Sequence, residues 1–297
     1  MKLWPVYGAL LGVQLLFATL PVAVKFALRE LSSPSVALIR VTGAALLFLL
    51  LQRVLSGARI RGAGDYARLA LYGFFGVVVN QLLYITALTM TTATAATTLI
   101  TAGPAFTLAI AIVLGRETAS PAKWAGIALA AAGALLIVGV RVDAGQLLGN
   151  AMVLGNVLAF SVYLVISRDI LRRYDALTVI TWTFVFGALG IAPWGIPSLL
   201  AETGGLSSTA VGALAWIVLV PTVTAYYLNV WALARVEASV VAVYVYLQPI
   251  VAAGLAAWLL GERPSPWLVP AGLLIFSGVA VTAWAGHRAR IRRGAMP

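Results

Sequence analysis

Cysteine is absent from this 297-residue chain, and histidine occurs once, at His287. No disulfide can staple the fold, and no thiolate can hold a metal or act as a nucleophile. Acids are scarce as well. The nine are Glu30, Asp65, Glu117, Asp143, Asp169, Asp175, Glu202, Glu237 and Glu262. Each falls at the end of an apolar stretch or between two stretches. A membrane-embedded enzyme would need a nucleophile with its base, or a cluster of histidines and acids around a metal. Neither is legible, so no catalytic residue, metal or cofactor is expected. Charged residues of both signs make up only 10% of the chain, against about a quarter in a soluble domain. The chain has no charged face to show water.

What fills the chain instead is apolar. Hydrophobic residues account for 62%, and between the charges they form ten stretches of roughly twenty residues, the length of a membrane-crossing helix. They lie near 4–26, 35–55, 66–88, 93–114, 122–140, 147–170, 176–196, 209–234, 239–260 and 267–286. The expected fold is all-α: a polytopic membrane protein of ten transmembrane helices, with no room for a soluble domain. The first stretch is too long for a cleaved leader and carries Pro21 and Lys25 near its end, so it reads as a retained helix. Trp4, Trp194, Trp267 and Trp284 read as interfacial anchors.

The basic residues set the orientation. With the N-terminus in the cytoplasm, fifteen face inward: Lys2, Arg53, Arg59, Arg61, Arg68, Arg116, Lys123, Arg168, Arg172, Arg173, Arg235, Arg288, Arg290, Arg292 and Arg293. Three face outward, Arg29, Arg141 and Arg263. Both termini are therefore predicted inside. The net charge of +11 is mainly a topology signal and gives no basic face for nucleic acid. The expected partners are the lipid bilayer and a small-molecule substrate, in a monomer or weak homodimer.

The chain also repeats. Shifted by 145 positions, Pro104 meets Pro249, Glu117 meets Glu262, Ser120–Pro121 meets Ser265–Pro266, and Gly133 meets Gly278. The first two stretches match the sixth and seventh at a shift of 143, where Gly12 meets Gly155, Phe17 meets Phe160, Arg29 meets Arg172 and Lys25 faces Arg168. Residues 1–143 and 144–288 thus form two five-helix repeats, with a basic cytoplasmic tail over 289–297. Five is odd, so the second repeat enters from the opposite side. Inverted repeats of this kind mark secondary transporters, whose substrate site lies between the repeats.

Candidate site residues follow from polar chemistry inside the spans. In TMTTATAATTLITAGPAF, Thr94, Thr97, Thr98 and Thr101 share one helical face, which should turn from lipid toward packed helices or a cavity. Pro104 and Pro249 should break their helices at matching places, with Pro21 and Pro221 as further breaks or gates. The expected substrate-binding set is Asn80, Tyr84, Thr98, Thr101, Asn156, Tyr163, Tyr226, Asn229, Tyr244, Tyr246 and Gln248. The tyrosines offer stackable walls for a side chain or an ammonium group. Spans five and ten are nearly free of polar groups, and small residues such as Gly126, Ala130 and Ala134 suit them to scaffold or dimer contacts.

Two cations fall within spans. Lys25 can snorkel to the outer surface. Arg40 can bind carbonyls, pair with an acid such as Glu262, or attract a substrate carboxylate. Glu117 and Glu262 should pair with the adjacent Arg116 and Arg263. With no acid or histidine at mid-membrane, proton coupling lacks a titrating group, which favours a facilitator or uniporter.

The ten spans, the inverted repeat, the arginine of ALIRVTGAALL and the paired blocks TAGPAFTLAIAIVLGRETASPAKWAGIALAAAGALLIV and YLQPIVAAGLAAWLLGERPSPWLVPAGLLIFSGVAVTA resemble the drug/metabolite transporter superfamily, EamA-type branch. The resemblance covers nearly the whole chain. It implies efflux of small metabolites across the bacterial inner membrane. The tyrosines and the lack of buried acids make the chain most similar to exporters of aromatic and other neutral amino acids. Multidrug or nucleoside and metabolite export coupled to protons is the alternative, with Glu117 or Glu262 then carrying the proton.

Overall fold

The computed structural model describes residues 4–56, 58–139, 143–202, 204–233, 244 and 247–292. Among the described residues there is no strand. Eleven longer helices follow one another among them: α1 (Trp4–Ala27), α2 (Ser33–Leu55), α3 (Ala63–Ala87), α4 (Ala93–Ile100), α5 (Gly103–Val113), α6 (Pro121–Gly139), α7 (Ala144–Ile166), α8 (Ala176–Ala201), α9, α10 (Gln248–Leu260) and α11 (Leu268–Arg292). Helix α9 runs from Ser208–Ile217 through a π-helical stretch, Val218–Thr224, into Ala225–Leu233. A second π-helical stretch, Phe74–Val79, interrupts α3.

Helices α1, α2, α3, α7, α8 and α9 are long and apolar enough to cross a membrane, and α4 with α5 makes a seventh crossing as a bent pair. Three further apolar helices are shorter: Pro121–Leu136 within α6, α10, and Leu268–Thr282 within α11. Large apolar side chains are exposed around the outside, among them Leu46, Leu50, Leu135, Leu189, Ile250 and Trp258. Arg40, Asn80, Gln81 and Asn156 are buried inside. This arrangement suits hydrocarbon surroundings, and the chain is a multi-pass membrane protein. Trp4, Trp194, Trp267 and Trp284 are all exposed.

Local chemistry starts and stops the helices. The side chains of Thr92, Asp143, Asp175 and Ser207 accept from the backbone amides of Ala95, Gln146, Thr178 and Ala210, satisfying first-turn donors. Gly261 ends α10 at φ 67, a left-handed conformation that favours glycine. Partial burial pushes the Asp175 carboxyl up, but hydrogen bonds from Thr178 and Ser56 outweigh it and hold it below the usual range. At Glu30, hydrogen bonds from the Ser207 hydroxyl and amide likewise lower the carboxyl. That contact ties the end of α1 to the start of α9.

The prolines differ in what they break, and α4 ends at Ile100, four residues before Pro104. Pro104 and Pro249 sit in the first turns of α5 and α10, where a missing N–H costs nothing. The bend, 41° between α4 and α5, falls just before Pro104. Pro21 lies within a continuous α1. Pro221 lies inside the π-helical stretch of α9.

Packing divides by chemistry. Helix α6 runs along α11 with backbones nearly touching: a Cβ on Gly278 would sit 2.5 Å from both the Ala130 nitrogen and the Gly126 oxygen. The small residues of spans five and ten therefore serve contact within the chain. Elsewhere α2 lies along α8, α3 against α7, and α1 against α9 and α10. One continuous core joins them, including Val41, Phe48, Ile85, Leu99, Phe184 and Ile275.

Candidate functional site

The interior polar groups converge on Arg40. Its guanidinium, 3% exposed, donates from Nη1 to Gln81 Oε1 at 2.6 Å and from Nε to Thr222 Oγ1 at 3.2 Å. Gln81 Nε2 donates to Asn80 Oδ1 at 3.0 Å. Asn80 and Asn156 then exchange bonds: Asn156 Nδ2 donates to the Asn80 carbonyl at 2.8 Å, and Asn80 Nδ2 to the Asn156 carbonyl at 3.4 Å. A single hydrogen-bonded chain thus joins α2, α3, α7 and α9.

The π-helical stretches build this chain. Pro221 has no N–H to give the carbonyl of Ile217, four residues back. The wider turn brings the Thr222 hydroxyl to that carbonyl at 2.7 Å. With its proton so placed, Thr222 Oγ1 meets Arg40 with a lone pair. In α3, Asn80 and Gln81 directly follow the other π-helical stretch. Such turns are rare and recur at functional sites.

Aromatic rings enclose the cluster. Tyr84 is buried, and Tyr84 and Tyr226 both lie within electrostatic reach of Arg40. Tyr226 packs edge-on against Phe17, Phe48 and Phe184, at centroid distances of 5.5, 6.4 and 5.9 Å. Tyr163 packs against Tyr72 and Phe160. Its ring covers the bare backbone of Gly76, where a Cβ would lie 2.7 Å away.

Among the described residues no carboxylate stands in ion-pair range of Arg40. Glu262, the acid suggested for it, pairs with Lys25 at 3.2 Å. Nor do Glu117 and Glu262 take their neighbouring arginines. Glu117 pairs with Lys123 at 2.9 Å, and Arg116 with Asp169 at 2.9 Å. Lys25 is thus held by Glu262 as well as being part-exposed. Charges at loop ends choose partners across helices, which sequence adjacency cannot foresee.

Of the expected site residues, the structure brings Arg40, Asn80, Tyr84, Asn156 and Tyr226 together, with Tyr163 beside them. Thr98 and Thr101 lie apart. Their hydroxyls, with that of Thr97, bond back to carbonyls of their own helix. Helix α4 is buried chiefly against α10 and α7. Gln248 meets Gln14 at 2.5 Å, a polar contact of α10 with α1. Tyr244 packs on a small cluster of Val6, Leu10 and Ala232. Asn229 is half-buried in α9. Tyr246 lies outside the described residues. Gln81 and Thr222, absent from the expected set, are Arg40's direct partners. Asp65 was also missed as a buried anchor. It accepts from Arg173 at 2.6 Å and the Tyr174 hydroxyl at 2.7 Å.

Comparison with known proteins gives a consistent result. The EamA-like transporter family matches twice, over residues 4–139 and 147–284. An uncharacterized transporter of Archaeoglobus fulgidus is 28% identical over 89% of this chain and 92% of its own length. A probable terminal-alkyne amino-acid exporter of Streptantibioticus cattleyicolor is 28% identical over 75% of each chain. A protein crystal structure shares the fold, with a TM-score of 0.64 at 19% identity, covering 95% of this chain and 98% of the other.

Proposed function

Because this chain belongs to the EamA-like transporter family, we propose that it exports small neutral and zwitterionic metabolites, amino acids foremost, across the bacterial inner membrane. The reading is a facilitator working by alternating access between two inverted five-helix halves, with both termini in the cytoplasm. The ten-crossing reading takes the six long helices, the bent pair and the three shorter apolar helices as one crossing each. Several features recur 144 or 145 positions apart. The π-helical stretches lie over 74–79 and 218–224, and α5 and α10 start at Gly103 and Gln248. The amides of Glu117 and Glu262 donate to Ala111 and Ala256 at the same 3.1 Å.

The observation that carries the substrate reading is Arg40. A buried charge needs a compensating partner or pays a heavy desolvation cost. Arg40 has Gln81 and Thr222, whose oxygens are neutral. A substrate carboxylate would complete it with a charge-assisted, two-pronged bond. Tyr84 and Tyr226 lie within reach to receive an ammonium over a ring face. The relative from Streptantibioticus cattleyicolor agrees with an amino acid as cargo. A proton-coupled multidrug or nucleoside exporter is the second reading. Its nearest titrating groups, Glu117 and Glu262, are engaged by Lys123 and Lys25.

Counterflow in proteoliposomes tests both. Neutral amino acids, their methyl esters, nucleosides and cationic dyes would be compared with and without a pH gradient. Saturable exchange of the acids, indifferent to the gradient and lost on esterification, is expected. Dye movement driven by the gradient, or equal exchange of esters, would overturn the reading.

A further inference from the structure

The repeat pairs two carboxylates, Glu117 and Glu262, whose backbones match and whose side chains do not. Glu262 reaches into the other half of the chain. Its carboxylate lies 3.2 Å from Lys25 Nζ and accepts from the amides of Ala93 at 3.0 Å and Thr94 at 3.5 Å, the first turn of α4. A carboxylate is favoured there by the exposed amides and the helix dipole. The contact borders a cleft of about 360 Å³ lined by Lys25, Arg29, Thr89 and Glu262. It joins α1, α4 and the α10–α11 loop at one mouth of the bundle.

At the opposite mouth, Glu117 stays within its own half, 2.9 Å from Lys123 Nζ. The residue that the repeat matches to Lys25 is Arg168. Arg168 is exposed, and among the described residues no carboxylate pairs with it. It is nevertheless close at hand. Arg116, next to Glu117, pairs at 2.9 Å with Asp169, next to Arg168. One further difference separates the two mouths. The position matching Lys123 is Leu268, so Glu117 has a cationic partner within its own half and Glu262 has a leucine at the matching place.

We propose that Glu262–Lys25 and Glu117–Arg168 are two copies of one charge-pair latch that close in alternation, and that this structure holds the Glu262 latch shut. In the opposite state Glu262 leaves Lys25 and the first turn of α4, while Glu117 leaves Lys123 for Arg168. Lys123 is a positioning residue that biases the molecule toward the state seen here. The inference rests on the inverted-repeat transporter reading.

The absence of native cysteine allows a direct test on the full chain in membranes. K25C/E262C and E117C/R168C pairs would be bridged by a short bifunctional thiol reagent and the yields read on gels, with no substrate needed. Glu262→Gln should raise the E117C/R168C yield about threefold, and Lys123→Leu should lower the K25C/E262C yield by about the same factor, as for a two-state equilibrium shifted by a lost contact. Adding Arg168→Gln to Lys123→Leu should restore it. Yields unaffected by these changes would overturn the latch, as would a Lys123→Leu effect that Arg168→Gln fails to reverse. Since no cargo enters the measurement, an amino-acid panel that fails to exchange would sink the substrate reading and leave this result standing.

Discussion

The α6–α11 seam and the Arg40 cluster are both buried, yet they are built from opposite materials. The seam brings Gly126, Gly133 and Gly278 against facing backbone, with Ala130 and Ala134 buried alongside. It depends on close van der Waals fit, which holds in one geometry only. The cluster is a relay of hydrogen bonds among Arg40, Gln81, Asn80, Asn156 and Thr222, joined through two π-helical stretches. Hydrogen bonds can be exchanged for others of similar strength, including bonds to a ligand. One region therefore fixes helices in place, and the other can re-pair.

That contrast can be broken from either side. The largest effect should come from the seam. Gly278→Leu would drive a side chain into the Ala130 and Gly126 backbones, where overpacking costs about 1–3 kcal/mol or more. Loss of monodisperse protein in detergent is expected, measured by size-exclusion chromatography. Gly272→Ala, whose Cβ would meet only Thr98 Cγ2 at 3.8 Å, should be tolerated.

Arg40→Met should act on the other region in the opposite sense. Exchange should fall about 100-fold, the loss of roughly 3 kcal/mol of substrate binding expected of a charge-assisted pair. The melting temperature should hold or rise, because a buried charge without a carboxylate partner is removed. A fold that collapses with Arg40→Met would instead make Arg40 part of the scaffold.

The smallest effect belongs to a helix start. Asp175 caps α8 and has its carboxyl held below its ordinary 3.8. A group lowered on folding stabilises the native state above its unfolded value and ceases to do so as pH falls through the folded one. Asp175→Ala should therefore cost about 1 kcal/mol at pH 7. The gap in melting temperature from the parent should close on acidification below the carboxylate range.

Much of this is legible in the amino-acid sequence itself. The apolar stretches locate the helices, and Arg40, Asn80, Tyr84, Asn156 and Tyr226 stand out as polar groups inside them. The π-helical stretches have no composition of their own, so Gln81 and Thr222 could not be placed on the cluster. The one usable clue was Pro221 followed by Thr222, a missing donor beside a hydroxyl able to replace it. The threonine stripe of α4 takes the packed-helix alternative, and the residues themselves leave that choice open. A helical threonine can spend its hydroxyl on the carbonyl one turn back, as Thr97 and Thr98 do, and so present a methyl to its neighbours. Among the described residues only the Thr94 hydroxyl of that stripe is buried without a partner.

A cation kept among neutral oxygens has a meaning for traffic as well as for recognition. To sodium or hydronium approaching along the helices, Arg40 is a standing repulsive potential, of the kind by which an arginine in an aqueous pore excludes protons. Gln81 and Thr222 orient that charge without cancelling it. On the proposed carrier reading, a passage opening beside Arg40 would admit an anionic group while resisting cation leak, and the membrane's electrochemical gradient would survive each turn.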